Sequence, residues 1–88
     1  MNGPYQVVLR LHAQRDLKRL PQSAISQIQN ALAELSSSPR AASNTKKLKA
    51  AKGIYRKRTG NYRILYEIDD QNRQVIIHRI GDRKDIYR

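Results

Sequence analysis

The spacing of apolar side chains along the first half of the chain predicts one strand followed by two helices. Residues 5–11 alternate between apolar and polar positions, which is the period of two expected of a β-strand. From Ala13 the apolar residues recur at helical spacing, and this first helix is expected to end at Pro21. A second helix should end in the segment 36–39, and it carries the apolar stripe Ile25, Ile28, Leu32 and Leu35. The two helices are expected to form an antiparallel hairpin.

The second half of the chain predicts three antiparallel strands. Two of them are expected over residues 54–58 and 62–69. Gly60-Asn61 between them suits a tight hairpin turn, because both residue types tolerate a positive φ. The nearly continuous apolar run 75–80 favours a third strand that is buried on both faces.

Residues 40–52 show no comparable pattern and are predicted to be a basic connector with one helical turn around Leu48. A chain of 88 residues has room for only one hydrophobic core. Residues 1–88 are therefore predicted to be a single α+β domain. In it, an N-terminal strand and a helical hairpin lead into an antiparallel meander, giving one small sheet with the order βααβββ.

The composition narrows the choice of partner. Lys and Arg number 18 against 7 Asp and Glu, so the formal net charge is +11. There is no cysteine, which excludes disulfide scaffolds and thiolate zinc sites. No apolar run approaches the roughly 18–20 residues that span a bilayer, and the N-terminus lacks the layout of a secretion signal. We therefore expect a cytoplasmic protein without a membrane partner, whose partner is polyanionic.

The positive charge is concentrated in the middle of the chain. Nine Lys and Arg residues lie between Arg40 and Arg63 with no acid among them. A patch of one sign and this density attracts phosphate backbones, although a solvated face that confers only solubility is the alternative. The lysines of this segment are the candidate RNA-binding residues: Lys46, Lys47, Lys49, Lys52 and Lys57.

The geometry of a β-strand predicts the directions in which the arginines of this segment project. Arg56 and Arg58 should project from one face of their strand and Lys57 from the other. The hairpin should then return Arg63 to within reach of Arg58. Guanidinium groups this close repel each other unless an anion lies between them, and their paired donors suit a phosphodiester.

The remaining candidates lie near the C-terminus. Arg83 and Tyr87 follow the last strand, which should end near the same hairpin, and Tyr87 could stack on a base or pack against the sheet. His78 is expected to be a hydrogen-bonded core residue rather than a catalyst. The sequence offers no acidic cluster, glycine-rich phosphate loop or nucleophile–His–acid set, so no metal and no cofactor are expected. Any chemistry then falls to Arg, Lys and Tyr side chains.

Several stretches together resemble the RelE branch of the RelE/ParE toxin superfamily. These stretches are 47–49, 53–58, 60–68 and the closing Ile80-Gly81-Asp82-Arg83-Lys84-Asp85-Ile86-Tyr87. The resemblance as a whole covers almost the entire chain, and it is specific in the second half and generic in the first. The resemblance implies a toxin that cuts mRNA in the ribosomal A site, by attack of a ribose 2′-OH on the adjacent phosphate. It also implies a cognate antitoxin that neutralises the toxin, and a toxin–antitoxin complex that binds operator DNA.

The resemblance also implies roles for individual residues. Arg56 and Arg58 match basic active-site residues, and Arg63 matches the residue that holds the scissile phosphate. Arg83 would help to protonate the leaving 5′ oxygen, and Tyr87 would stack on the mRNA base. Arg58 stands where some members carry a lysine proposed as the general base, and arginine does not lose its proton at neutral pH. Arg58 therefore acts by electrostatics alone, or Lys57 or another group is the base.

Two other functions remain open at this point. The first is a ParE-like inhibitor of DNA gyrase on the same fold, against which the arginine set and the terminal tyrosine argue. The second is a basic module that binds RNA or DNA without cutting it. Cleavage of translated mRNA distinguishes the mRNA endonuclease from both alternatives.

Overall fold

The computed structural model describes residues 4–49 and 51–82, where two helices pack on one face of a five-stranded mixed sheet. The sheet order is β1-β5-β4-β3-β2, with β1 parallel to β5 and every other pairing antiparallel. This arrangement confirms the predicted α+β class. The elements are β1 (Gln6–Leu9), α1 (Leu11–Lys18), α2 (Gln22–Ser37), β2 (Thr45–Lys47), β3 (Tyr55–Thr59), β4 (Tyr62–Asp69) and β5 (Gln74–Asp82).

The predicted connector contains a strand, so the expectation of a helical turn around Leu48 is wrong. Thr45–Lys47 pairs with β3 as the edge strand β2, and the backbone N–H of Leu48 donates to Ile54 O at 2.9 Å. Its three residues are all polar and show no apolar alternation, so periodicity does not predict this strand. Its pairing satisfies backbone groups that β3 would otherwise leave open at the sheet edge.

The hydrophobic core lies between the sheet and the helices. α2 buries Ala24, Ile28, Ala31 and Leu35, while the predicted stripe residues Ile25 and Leu32 are only half-buried. The buried face of α2 is therefore rotated from the predicted one toward its alanines. Small side chains on that face let the helix lie close to the sheet, which supplies the bulky residues Ile64, Tyr66, Val75, Ile77 and Ile80. Within the described ranges, neither helix is long and apolar enough to cross a membrane.

The C-terminal half of β5 is held by a side chain rather than by a neighbouring strand. β1 pairs with β5 only as far as Ile77, and a register shift opposite Leu65/Tyr66 leaves His78 as an extra residue in β5. Beyond it, Asp16 of α1 accepts hydrogen bonds from the Ile80 backbone N–H at 2.9 Å and from Arg79 Nε at 2.8 Å.

The Asp16 carboxylate is stabilised in its charged form. Burial raises its pKa, but the hydrogen bonds from Arg79 and from the Ile80 backbone outweigh that effect, so the pKa of Asp16 is lowered. Asp16 thus replaces the missing strand partner and keeps the end of β5 in the sheet beside β4.

A second carboxylate fastens the turn between β4 and β5. Asp70 accepts two hydrogen bonds from the Arg40 guanidinium, at 3.0 and 2.7 Å, and one from the Tyr5 hydroxyl at 2.5 Å. These bonds, those from Arg40 first, lower the pKa of Asp70 from 3.8 to about 2. The contacts connect this turn to the segment after α2 and to the residue before β1.

We predict that the contribution of Asp70 to stability disappears in acid. Because its pKa is lower in the folded chain, the ionised carboxylate stabilises the fold above pH 3.8, and this contribution is lost as the pH falls toward about 2. Urea unfolding of wild type and Asp70→Asn from pH 6 to pH 2 should show a stability difference that shrinks over that interval. Arg40→Gln should lose much of the same pH-dependent difference, and a difference that stays constant with pH would contradict this account.

Candidate functional site

The alternation of side chains along β3 gathers basic residues on the face of the sheet opposite the helices. Lys57 points toward α2, so Arg56 and Arg58 project from the other face. Arg58 stands directly opposite Arg63 of β4, and Arg56 stands opposite Lys46 of β2. The expected approach of Arg63 to Arg58 is confirmed. We call the surface formed by Lys46, Arg56, Arg58 and Arg63 the cationic face.

The cationic face holds like charges at close range. Directly opposite residues of an antiparallel pair have their Cβ atoms about 4.5–5.5 Å apart, and like charges in such positions destabilise the sheet. Lys46 pairs with Arg56, and Arg58 pairs with Arg63. The other partners are Leu65, opposite Arg56, and Gly81, opposite Arg63, so no carboxylate stands directly opposite any of the four. An anion bound over this face would offset the repulsion.

The four side chains differ in accessibility. Lys46 and Arg58 are exposed and Arg56 is half-buried, whereas Arg63 is only 4% exposed. The buried Nε atoms of Arg56 and Arg63 have no hydrogen-bond acceptor among the described residues. A buried donor without an acceptor is unfavourable by about 1–3 kcal/mol. In this conformation Arg58 offers an open contact, while Arg63 contributes charge from beneath the surface.

The prediction that Lys57 binds RNA is wrong. Lys57 is 1% exposed, its Nζ donates to the Ser43 backbone oxygen at 2.7 Å, and it forms an ion pair with Glu34 of α2 at 3.1 Å. The alternation that places Arg56 and Arg58 outward forces the residue between them inward. Lys57 therefore joins β3 to α2 and cannot act as the general base on the cationic face.

The other predicted residues are four exposed lysines and two C-terminal residues outside the described ranges. Lys46, Lys47, Lys49 and Lys52 are all exposed, and their role in RNA binding stays a prediction. Gly81 of β5 lies opposite Arg63, so β5 ends beside the hairpin as expected. Arg83 and Tyr87 lie outside the described residues.

His78 is hydrogen-bonded as predicted, but it is half-exposed rather than part of the core. Its Nε2 lies 2.5 Å from Glu67 Oε1, and Glu67 shares the cationic side of β4 with Arg63. Four residues of strand separate Glu67 from Arg63, a distance of about 13 Å at about 3.3 Å per residue. The Glu67–His78 pair therefore does not share a phosphate with Arg63. No group of three or more His, Asp or Glu residues in the described ranges could hold a metal ion.

Residues 7–87 match the profile of the family of ParE toxins of type II toxin–antitoxin systems. Toxin RelG of Mycobacterium tuberculosis is 37% identical over 86 residues, which cover 97% of this chain and 98% of the relative. Toxin RelE of the same organism is 33% identical over 86 residues, covering 97% of this chain and 88% of the relative.

Solved structures show the same fold. The toxin–antitoxin complex RelBE2 of Mycobacterium tuberculosis contains a chain that matches with a TM-score of 0.80 and 35% identity, over 91% of this chain and 99% of that one. The intact RelBE toxin–antitoxin complex of E. coli matches with a TM-score of 0.75 and 25% identity, over 89% of this chain and 95% of that one.

The buried position of Lys57 gives a stability prediction. Lys57→Met should lower the free energy of unfolding by about 1–2 kcal/mol, because it removes the donor to Ser43 O and the partner of Glu34. Lys47→Met is the matched control, since Lys47 is exposed on the neighbouring strand, and should change stability by less than about 0.5 kcal/mol. Urea unfolding measures both, and equal effects of the two variants would contradict the buried contact.

Proposed function

The chain belongs to the RelE/ParE superfamily of toxins of type II toxin–antitoxin systems, and from that premise we propose that it is an endoribonuclease acting on mRNA in the ribosomal A site. In the proposed reaction a ribose 2′-OH attacks the adjacent phosphate and the 5′ oxygen leaves. The products are a 2′,3′-cyclic phosphate and a 5′-OH end. The observation that carries the proposal is the pairing of Arg58 with Arg63 on the cationic face.

The chemistry of the cationic face supports phosphoryl transfer. Negative charge builds on the phosphate oxygens as the 2′ oxygen approaches, and fixed guanidinium groups stabilise that charge without reorganising. Arg58 is exposed and can donate directly, whereas the buried charge of Arg63 is less screened by water than a surface charge. Lys46 and Arg56, in the adjacent row of the sheet, can bind a neighbouring phosphate.

The cationic face provides no general base for the proton transfers of this reaction. The proton of the 2′-OH must pass to a base, and the leaving 5′ oxygen must gain one. Lys57 is buried and Arg58 keeps its proton at neutral pH, so neither is that base. We propose that Arg58 acts electrostatically and that the ribosome or the mRNA supplies the base. Arg83 and Tyr87 keep their proposed roles. Arg83 helps to protonate the leaving 5′ oxygen, and Tyr87 stacks on the mRNA nucleobase.

Dependence on the ribosome follows from this incomplete site. Alignment of attacking oxygen, phosphate and leaving oxygen can lower a barrier by several kcal/mol, up to roughly 7–11. An open face without a base cannot impose that alignment alone. We propose that the A site bends the mRNA into the reactive geometry and that the toxin adds preorganised positive charge.

An antitoxin is the proposed protein partner. Both solved structures described above, from Mycobacterium tuberculosis and E. coli, are toxin–antitoxin complexes. We propose that a cognate antitoxin neutralises this chain in the cytoplasm by covering the positive surface, and that the complex binds operator DNA. Opposite charge would speed that association and fix its orientation.

A ParE-like action on DNA gyrase is the second candidate, because the family profile that matches is named for ParE. The two curated relatives, 37% and 33% identical, are named Toxin RelG and Toxin RelE rather than ParE, which favours RNA. DNA breaks with intact mRNA would support the ParE-like function, and new mRNA ends within reading frames would support the nuclease.

We predict that Arg58→Gln reduces mRNA cleavage by about 100-fold or more, because removing one preorganised donor to a developing charge costs about that much. Arg58→Lys should fall between Arg58→Gln and wild type, since it keeps the charge but loses the paired donors. Primer extension on a translated mRNA with purified ribosomes measures cleavage by position.

Lys18→Gln is the control for this experiment, because Lys18 is exposed on α1, away from the cationic face. It should cut like wild type. Equal cleavage by Arg58→Gln and Lys18→Gln would show that the cationic face takes no part in the reaction. Absence of cleavage by the wild type itself would overturn the nuclease proposal.

A further inference from the structure

The face of the sheet opposite the helices has an apolar half beside the cationic face. Leu65 of β4, Ile76 of β5 and Val8 of β1 are half-buried, and none of them packs into the core between the sheet and the helices. Val8 stands directly opposite Ile76. Leu65 lies between Arg63 and Glu67 on the same side of β4, because alternate residues of a strand face the same way. We call Val8, Leu65 and Ile76 the apolar platform.

A carboxylate lies at the border of the apolar platform. Glu67 stands directly opposite Ile76, and its side chain is 43% exposed. His78 Nε2 lies 2.5 Å from Glu67 Oε1, and because an ionised carboxylate only accepts hydrogen bonds, this nitrogen is the donor. The second oxygen of Glu67, Oε2, accepts no hydrogen bond from the described residues. Glu67 therefore presents an acceptor that is fixed in direction and open to solvent.

The cation nearest to Glu67 across the strand pair is Arg56. Leu65 stands directly opposite Arg56, so Arg56 and Glu67 are diagonal neighbours, about 7–8 Å apart. Within the described ranges no ion pair joins the two, since Glu67 pairs with His78 and the Arg56 Nε has no acceptor. The Glu67 carboxylate repels a phosphate that Arg56 holds. An RNA backbone is therefore kept on the Arg56 side, and a base that extends from it can reach Glu67 and the apolar platform.

We propose that Glu67 is a specificity-determining residue, which accepts a hydrogen bond from the amino group of an RNA base lying on the apolar platform. This inference rests on RNA being the substrate of the toxin. Proteins read single-stranded RNA by packing unstacked bases on a surface and by hydrogen bonds to their edges. Cytosine, adenine and guanine carry an exocyclic amino group, and carboxylates accept hydrogen bonds from the N4 of cytosine. Uracil has a carbonyl oxygen in place of that amino group, so Glu67 should disfavour uracil.

The position of the base follows from the order of the cations along the sheet. Arg58 and Arg63 are the proposed contacts of the scissile phosphate, and Lys46 and Arg56 are those of a neighbouring phosphate. Glu67 lies about 13 Å along β4 from Arg63 but is the diagonal neighbour of Arg56. The base that Glu67 contacts therefore belongs to a nucleotide on the Arg56 side of the cut. We expect the preference at one fixed position beside the cut.

The first test compares two fluorescein-labelled oligoribonucleotides of equal length, oligocytidylate and oligouridylate. Their bases share one ring and differ at the amino or carbonyl group that Glu67 would contact. Anisotropy titrations measure the ratio of their affinities, and wild type should bind oligocytidylate about tenfold more tightly. Glu67→Gln should reduce this ratio to about twofold or less, because an amide can donate to uracil as well as accept from cytosine.

Asp69→Asn is the matched control for Glu67→Gln. Asp69 lies two residues further along β4, and its carboxylate accepts hydrogen bonds from the backbone and the side chain of Asn72 in the turn. The substitution removes the same charge from the same strand, so it should keep the tenfold ratio of wild type. Thermal melting of both variants checks that the fold is intact.

His78 is the positioning residue of this contact. It lies two residues along β5 from Ile76, the residue opposite Glu67, and its ring fixes one oxygen of the carboxylate. His78→Leu removes the donor and should lower the preference for oligocytidylate. His78→Gln can donate to the same oxygen and should restore most of the preference. A merely structural role would weaken binding of both oligonucleotides alike and leave their ratio unchanged.

Three outcomes would overturn the inference. Equal affinities of wild type for the two oligonucleotides would show that no base is read, which leaves the apolar platform to a protein partner. A ratio that survives Glu67→Gln would place the discrimination on another residue. A loss of the ratio in Asp69→Asn as large as that in Glu67→Gln would show that only net charge matters.

The inference and the proposed function fail separately, because the binding ratio is measured without cleavage. Cleavage that depends on Arg58, with equal affinities for the two oligonucleotides, would remove only the role of Glu67. A binding ratio that depends on Glu67, in a wild-type protein that cuts no mRNA, would remove only the nuclease. Where both hold, primer extension should show weaker cuts at sites that carry uracil at the position read by Glu67, and Glu67→Gln should strengthen those cuts relative to the others.

Discussion

The buried contact of Lys57 decides the orientation of β3, and the rest of the site depends on it. A lysine inside a small domain is tolerated only with partners, and Lys57 finds them in Glu34 of α2 and in the Ser43 carbonyl. Because side chains alternate along a strand, this contact fixes Arg56 and Arg58 on the opposite face. A shift of one residue would bury both arginines and expose the lysine.

A second constraint acts through β5. The extra residue His78 and the carboxylate of Asp16 let the last residues of β5 stay paired with β4 after β1 has ended. Gly81 therefore lies opposite Arg63, and the last described residues of β5 lie beside the cationic face. Asp16 also pairs with the Arg79 guanidinium, which lies in the same stretch of β5. One carboxylate thus holds both the backbone and a side chain of the strand that ends beside Arg63.

The sequence predicted those features that depend on local periodicity. The class, both helices and strand β4 follow from apolar spacing, and the approach of Arg58 to Arg63 follows from the hairpin turn at Gly60, whose φ is +58°. The strand β2 and the inward position of Lys57 did not follow, because both depend on contacts between distant segments. In the sequence, residues 56–58 form one basic run, but the pleat of β3 places Lys57 on the face opposite Arg56 and Arg58.

The most direct test of the central claim is a structure of the protein with an oligoribonucleotide that is 2′-O-methylated at the cleavage position, so that attack is blocked. The account predicts a phosphate oxygen within about 2.7–3.2 Å of an Arg58 guanidinium nitrogen. It also predicts the neighbouring phosphate beside Lys46 and Arg56. An oligonucleotide bound only elsewhere, with no phosphate over the face that β3 and β4 share, would contradict it.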